Sequence, residues 1–380
     1  MSRSIFLVDT FYYAVLESLG LDKVLVSTDY ERRLEEALGF GFGTGGAYVR
    51  NLRDLGWDAR IAVANSLALQ DLWARSHRAS SPIPLAWRYG PHLSRLPVAR
   101  NLLHKFPHLH SVLLDQIVDA KPDVVMVQDL NLVPPGLARA VRAHTRLLVG
   151  EIASPLPPKR FLTSYDLIVS ALPSIVETAR AWGIPSRYIP LAFDDRWEAP
   201  TPASEREIDA IFVGSFSRLQ PATAPLLREV AAAVPGLQIY GPAAPGVLAD
   251  AGLDAHYRGE AWGRDMFHLL ARSKMVINRH GSVAGPYAVN MRMFETTGSG
   301  AALITEEKSN LGELFDVGTE VLSYRSPDVA AQLAAGLLAD PVRLDAIAAA
   351  GQRRTLAEHT YRHRAELLTQ TIDDAEAGRL

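Results

Sequence analysis

Short apolar runs of strand length, each closed by turn residues and alternating with helix-length amphipathic stretches, recur along the chain and restrict it to an α/β fold. In the first half they are Ile5–Val8, Lys23–Ser27, Ala59–Ala64, Asp123–Gln128, Leu147–Gly150 and Leu167–Ser170. Their apolar residues are consecutive, which suits strands of a parallel sheet covered on both faces. Ser174–Trp182 reads as a helix stopped at Gly183, with a strand through Tyr188–Pro190 after it. The stretch Asp194–Glu207 (DDRWEAPTPASERE) breaks the pattern with Pro, Ala and charge, the composition of a linker. A second set follows at Ala210–Val213, Leu237–Tyr240, Met275–Asn278, Ala301–Thr305 and Glu320–Ser323. A chain of 380 residues has room for two cores. Two successive βα sets predict two doubly wound, Rossmann-like domains facing each other across a cleft.

Composition narrows the functions such a fold can serve. The net charge of −3 exerts no general pull toward nucleic acid or membrane. The absence of cysteine removes disulfides, thiolate metal sites and cysteine nucleophiles, and fits a reducing compartment. Ser4–Leu16 is apolar, but Asp9 interrupts it and no small-residue cleavage site follows, so it reads as a first strand and helix. No apolar run approaches the ~18 residues that span a bilayer. The expected location is the cytoplasm.

The most informative single stretch is Met275–Gly300 (MVINRHGSVAGPYAVNMRMFETTGSG), a strand, a Gly/Pro/Ser loop and a helix. A loop feeding a helix start presents outward N–H groups that bind phosphate. Arg279, His280 and Arg292 add side-chain cations there. From Asn290 to Glu295 is about 7 Å along the helix axis, roughly the span from a bound diphosphate to its ribose. A surface i,i+3 salt bridge between Arg292 and Glu295 is the competing reading, and the local pattern leaves both open.

Most of the chain, and most clearly Tyr165–Arg364, resembles the nucleotide-sugar glycosyltransferases of GT-B architecture, and its second half resembles the group-1 glycosyltransferase C-terminal domain, in a CgeB-like branch named for a spore-maturation protein. The carriers are YDLIVSALPSIVETARAWGIPSRYIPLAFD (Tyr165–Asp194), DAIFVGSF (Asp209–Phe216), RGEAWGRDMFHLLARSKMVIN (Arg258–Asn278), NMRMFETTGSGAALIT (Asn290–Thr305), ELFDVGTEVLSY (Glu313–Tyr324) and HTYRHR (His359–Arg364). The resemblance implies an acceptor-side domain at 1–195, a donor-binding domain at 196–360 and a terminal helix at 361–380 packing back on the first domain. In retaining members a glutamate five residues before a glycine holds the ribose, a spacing met by Glu295 and Gly300. Gly214, within DAIFVGSF, belongs to the same implied site. Two departures stand out: the partner glutamate of the usual E-x7-E pair is Tyr287, and the diphosphate-gripping Arg and Lys reduce to Arg218 with no Lys after it. Diphosphate binding then falls to Arg279 and Arg292, whose forked guanidinium suits it.

In the first half, Gly39–Gly46 (GFGFGTGG) opens a helix, and Gly43, Gly45 and Gly46 are its expected ligand contacts, against a simple tight turn. Its spacing is not that of a dinucleotide fingerprint, and the strand Ala59–Ala64 ends without the acid that an NAD site needs. Asp129 and Glu151 each close a strand and are candidate general bases toward an acceptor hydroxyl, against helix caps or solvated loop acids. No D-x-D pair is present to hold a metal against the diphosphate, so the chemistry is expected to need no metal and no cofactor.

Leu72–Leu114 lacks Asp and Glu but carries Arg75, Arg78, Arg88, Arg95, Arg100 and Lys105, with Trp73, Trp87 and Tyr89 interspersed. It suits an anionic acceptor, or a lipid-linked one at the inner membrane surface, against a merely solubilising insertion. His104, His108 and His110 have Pro107 among them and no carboxylate nearby, a poor metal set. The expected activity is transfer of a sugar from a nucleoside diphosphate to a hydroxyl acceptor, with retention, an inverting route through Asp129 or Glu151 staying open. A nucleotide-sugar epimerase and a catalytically silent binding module are the alternatives.

Overall fold

The computed structural model describes residues 3–22, 29–77, 79, 107–199, 201–216, 221–244 and 246–380. The expected strand Lys23–Ser27, Arg218 and most of the basic region, including Arg78, Arg88, Arg95, Arg100 and Lys105, lie outside those residues. Two compact units are present, Met1–Ile189 with Ala365–Leu380, and Pro190–Arg364.

The first unit is built on a six-stranded sheet: β1 (Ser4–Asp9), β2 (Asp58–Val63), β3 (Val124–Val127), β4 (Leu147–Glu151), β5 (Leu167–Ser170) and β6 (Ser186–Tyr188), in the order β2-β1-β3-β4-β5-β6. Every pairing is parallel, with Ile5 opposite Ala59 on one side and Val124 on the other. Ile5, Leu7, Val8 and all of β3 are almost completely buried, as consecutive apolar residues must be when helices cover both faces. Between β1 and β2 lies the helix Gly45–Asp54, which ends where Gly56 turns into the left-handed region. The last helix, Tyr361–Glu376, ties its second half to this unit: Trp57 donates to Thr369 Oγ1 at 3.2 Å, and Arg146 pairs with Glu376 at 2.7 Å.

The second unit has five parallel strands, β7 (Ile208–Val213), β8 (Leu237–Tyr240), β9 (Ser273–Asn278), β10 (Ala302–Glu306) and β11 (Leu322–Tyr324), in the order β11-β10-β9-β7-β8. Alternate residues feed two separate cores. Ala210, Phe212, Met275, Ile277 and Ile304 enter one, while Ile211, Val213, Val276 and Leu303 enter the other. The period of two is thus hidden in the sequence because both faces are apolar.

The two units part at 189/190 and 364/365, and both crossings are stitched into the second unit. The Phe193 N–H donates to His359 O at 2.8 Å, the Tyr361 N–H donates to Phe193 O at 2.9 Å, and Arg364 Nε donates to Pro190 O at 2.9 Å. Nor is Asp194–Glu207 a loose linker. It holds turns at Asp195–Trp197 and Ala203–Glu205, and its Arg206 is buried with its guanidinium donating to the carbonyls of Thr201, Leu270, Ser273 and Ser299. Three of those carbonyls, from Leu270, Ser273 and Ser299, belong to two helix ends, where a cation is favoured. Charge-rich composition resembled a linker because a single buried arginine has no pattern to give it away.

Candidate functional site

In the second sheet the chain leaves β7 for one edge and β9 for the other, and crevices form at the carboxyl ends of such diverging neighbours. β7 delivers Val213 and Gly214 there, and β9 delivers Asn278 and Arg279. The helix Met291–Gly298 starts from the same loop. It begins there because Asn290 is extended and its Oδ1 accepts the Arg292 N–H at 2.7 Å, an N-cap. The amide of Asn290 also donates to Asn278 Oδ1 and to Arg279 O, each at 3.0 Å, fastening the helix start to the end of β9. At the other end Gly300 takes the left-handed conformation (φ 72°) that closes the helix.

Arg292 and Glu295 are not a surface pair. Their side chains are 15% and 8% exposed, with Nη1 to Oε2 at 2.6 Å. Arg292 Nε also donates to Val213 O at 3.3 Å. Burial pushes the Glu295 carboxyl up, and the Arg292 charge pulls it back down. Glu295 is therefore less open than a lone ribose-binding carboxylate would be, with one oxygen spent on its own helix. Arg279 is half-buried and donates to Thr223 Oγ1 at 3.5 Å, at the first residue of the helix Thr223–Ala233. That puts a guanidinium beside the end of β9 and a second helix start. Gly214 donates to Tyr240 O at 3.0 Å, and Tyr287 is half-buried in the loop with its N–H on Ala284 O.

His280 is a correction. It is 2% exposed, Nε2 lies 3.3 Å from Thr305 Oγ1, and burial lowers its pKa to about 4. It is a neutral imidazole at pH 7 and supplies no cation. The sequence put it beside Arg279, but neighbours in an extended segment point to opposite sides.

In the first unit the equivalent position is the carboxyl end of β1 beside β3. The glycine loop arrives there. Gly43 has φ 74°, and Gly45 approaches so closely that a β-carbon would sit 2.5 Å from Asp9 Oδ2. Gly46 packs over Leu38. Glu151 is driven toward its protonated form by burial and accepts from Gln128 Nε2 at 2.6 Å. Asp129 is half-buried, its Oδ1 accepting the Asn131 N–H at 3.0 Å and its Oδ2 the Thr10 hydroxyl at 3.3 Å.

Sequence reasoning missed Asp9, which burial raises to a pKa of about 7, with Glu151 and Asp129 adding repulsion and the Thr10 and Gly45 N–H groups opposing. The signal was present: an acid closes β1 as one closes β4. Among the described residues no group of three or more His, Cys, Asp or Glu could hold a metal ion, and no helix is long and apolar enough to cross a membrane.

Residues 220–370 match the family described as glycosyl transferase-like. No curated protein matches the sequence significantly. Solved structures resemble the chain over its full length. Sucrose-phosphate synthase from Thermosynechococcus elongatus is 14% identical with a TM-score of 0.60, covering 99% of this chain and 100% of its own. HepE from Anabaena, solved with UDP and glucose, is 13% identical with a TM-score of 0.62, covering 98% and 100%. AviGT4, a glycosyltransferase of avilamycin A biosynthesis, is 16% identical with a TM-score of 0.56, covering 99% and 98%. At these identities the likeness establishes the fold: two parallel-sheet α/β units of the GT-B glycosyltransferase type.

Proposed function

We propose that the protein is a metal-independent glycosyltransferase, of hexosyltransferase type, that moves a sugar from a nucleoside diphosphate to a hydroxyl acceptor with retention at the anomeric carbon. The observation that carries this reading is the buried Arg292–Glu295 pair on a capped helix start where β7 and β9 diverge, inside the segment that matches the glycosyl transferase-like family. The Glu295 oxygen not held by Arg292 accepts from the ribose hydroxyls. Arg279 and the N–H groups at the helix start neutralise the charge developing on the departing diphosphate, where most of the rate arises. Gly214 and Tyr287 flank the nucleotide. HepE has been solved with UDP and with UDP-glucose, which makes uridine nucleotides the first donors to try. The order of motifs from Tyr165 to Arg364 favours the CgeB-like branch.

In this reading the amino-terminal unit takes the acceptor, and the protein works in the cytoplasm, attached peripherally to the inner membrane surface when the acceptor is lipid-linked. Of the two half-buried candidate bases, we favour Asp129, since Glu151 is engaged by the Gln128 amide at 2.6 Å and burial holds its carboxyl up.

Calorimetric titration with UDP and UDP-glucose tests the reading. Glu295→Gln keeps a hydrogen bond to Arg292 and the packing, so a loss of affinity reports on the ligand. We expect at least a tenfold loss, about 1.4 kcal/mol. Wild-type affinity in both Glu295→Gln and Arg279→Ala would remove the site.

A further inference from the structure

The carboxyl end of β1 holds an arrangement that the proposed sugar transfer leaves unexplained. Asp9 is 6% exposed; its Oδ1 accepts the Thr10 N–H at 2.7 Å, while Oδ2 is buried and completes no hydrogen bond. Gln128, one residue past β3, donates through Nε2 to both Thr44 Oγ1 and Glu151 Oε2, each at 2.6 Å. Its Oε1 is also buried and without a donor. The two unfilled acceptors face one spot. A β-carbon on Gly45 would lie 2.5 Å from Asp9 Oδ2 and 2.8 Å from Gln128 Oε1, with Ile61 Cδ1 at 2.6 Å. The Ile61 methyl and the Gly45 backbone border that spot. Two buried oxygens beside one spot, each without a donor, are costly unless a hydrogen reaches them.

We propose that Asp9, Gln128 and Glu151 share one proton, and that this proton pins the glycine-rich loop. Carried on Asp9 Oδ2, it is donated to Gln128 Oε1 while Gln128 Nε2 donates to the Glu151 carboxylate. With the Gln128 amide turned over, Nε2 donates to the Asp9 carboxylate and a protonated Glu151 donates to Oε1. The two carboxyls hold one proton and one negative charge in either arrangement, and a proton leaving one side passes to water before the other side takes one up.

The pin acts on the loop through Thr44 and Gly45. Thr44 precedes the helix Gly45–Asp54, yet its side chain makes no cap; its hydroxyl accepts from Gln128 instead. Asp9 and Glu151 are thus positioning residues for the loop. The groups facing Asp9 leave a proton as the way to settle the charge. Glu151 on β4 and Asp129 after β3 are acidic, β2 offers the Ile61 methyl, and the helix offers the Gly45 N–H. Tyr165, beside Asp129, is kept neutral by burial. Burial pushes both Asp9 and Glu151 toward protonation, in keeping with a pair that cannot ionise fully. The inference rests on the first unit alone and stands whether or not the protein transfers sugar.

Hydrogen exchange on the full-length protein from pH 6.5 to 8.5, corrected for intrinsic exchange, provides the test. The amides of Tyr48–Leu52 in the wild type should lose about tenfold in protection as the proton is titrated away. Asp9→Asn and Glu151→Gln each supply a permanent N–H in place of the proton, so in both the slope should vanish, with Ile5–Val8 amides as the control for an intact sheet. Should one variant fail to fold, the other carries the comparison. A slope kept in any folded variant, or absent from the wild type, overturns the proposal.

Discussion

The two sheets turn around in the same way, β1 beside β3 in one unit and β7 beside β9 in the other, yet opposite charges converge at the two places. In the first unit Asp9, Asp129 and Glu151 gather under a glycine loop with the Gln128 amide between two of them. In the second, Arg279 and Arg292 meet two asparagines and two acids, Glu295 paired with Arg292 and Glu306 accepting the His280 N–H. Strand order decides where polar groups can collect in an otherwise apolar layer. Residue choice then decides the character of each place: guanidiniums and helix starts in one unit, carboxyls raised by burial in the other.

The strongest test of this contrast is Arg292→Ala. Leaving Glu295 buried without its partner should cost about 3–5 kcal/mol of unfolding free energy by urea denaturation. The loss should grow as pH rises, because a carboxyl whose folded pKa is raised loses stability as it ionises. A loss below about 1 kcal/mol would make the pair an ordinary surface bridge.

Next comes Gly45→Ala, which drives a methyl between Asp9, Ile61 and Gln128 and should cost up to about 3 kcal/mol. A neutral outcome in the same denaturation assay would mean that the loop does not press on the acids at all.

The units should also answer pH in opposite senses. His280 and His359 are buried with pKa values lowered to about 4, so the unfolded chain binds more protons between about pH 6.5 and 4. Each should therefore withdraw about 2 kcal/mol from the second unit as pH falls from 7 to 5. Asp9, raised to about 7, does the reverse, stabilising the first unit at low pH and losing that contribution as pH rises through 7. Urea titrations of His280→Gln, His359→Gln and Asp9→Asn should each flatten the matching slope, and slopes of one sign in both units would dissolve the comparison.

The smallest expected effect belongs to Arg279→Ala. Stability should stay within about 0.5 kcal/mol for a half-buried side chain with a long hydrogen bond, while UDP affinity falls by about 1.4 kcal/mol, or tenfold. Calorimetry beside a thermal melt separates the two.

Much of the fold could be read from the chain, since strands covered on both faces announce themselves as unbroken apolar runs. β5 and β8 were delimited to the residue, and β3, β7 and β10 to within one or two at each end. The helix start near Asn290 was equally legible, and the structure adds the local cap that fixes it.

What the sequence determined by itself was therefore local and periodic: two parallel α/β sheets, their helix starts, and which loops end beside which strands. Only the tertiary structure decided the state of each polar group. Burial turned His280 from a cation into a neutral ring, left the Arg292–Glu295 pair only partly open, drew Arg206 inside among carbonyls, and brought Gly45 against both Asp9 and Gln128 from distant parts of the chain. The charge a group carries depends on the water and partners left to it, and those come from segments far away along the chain.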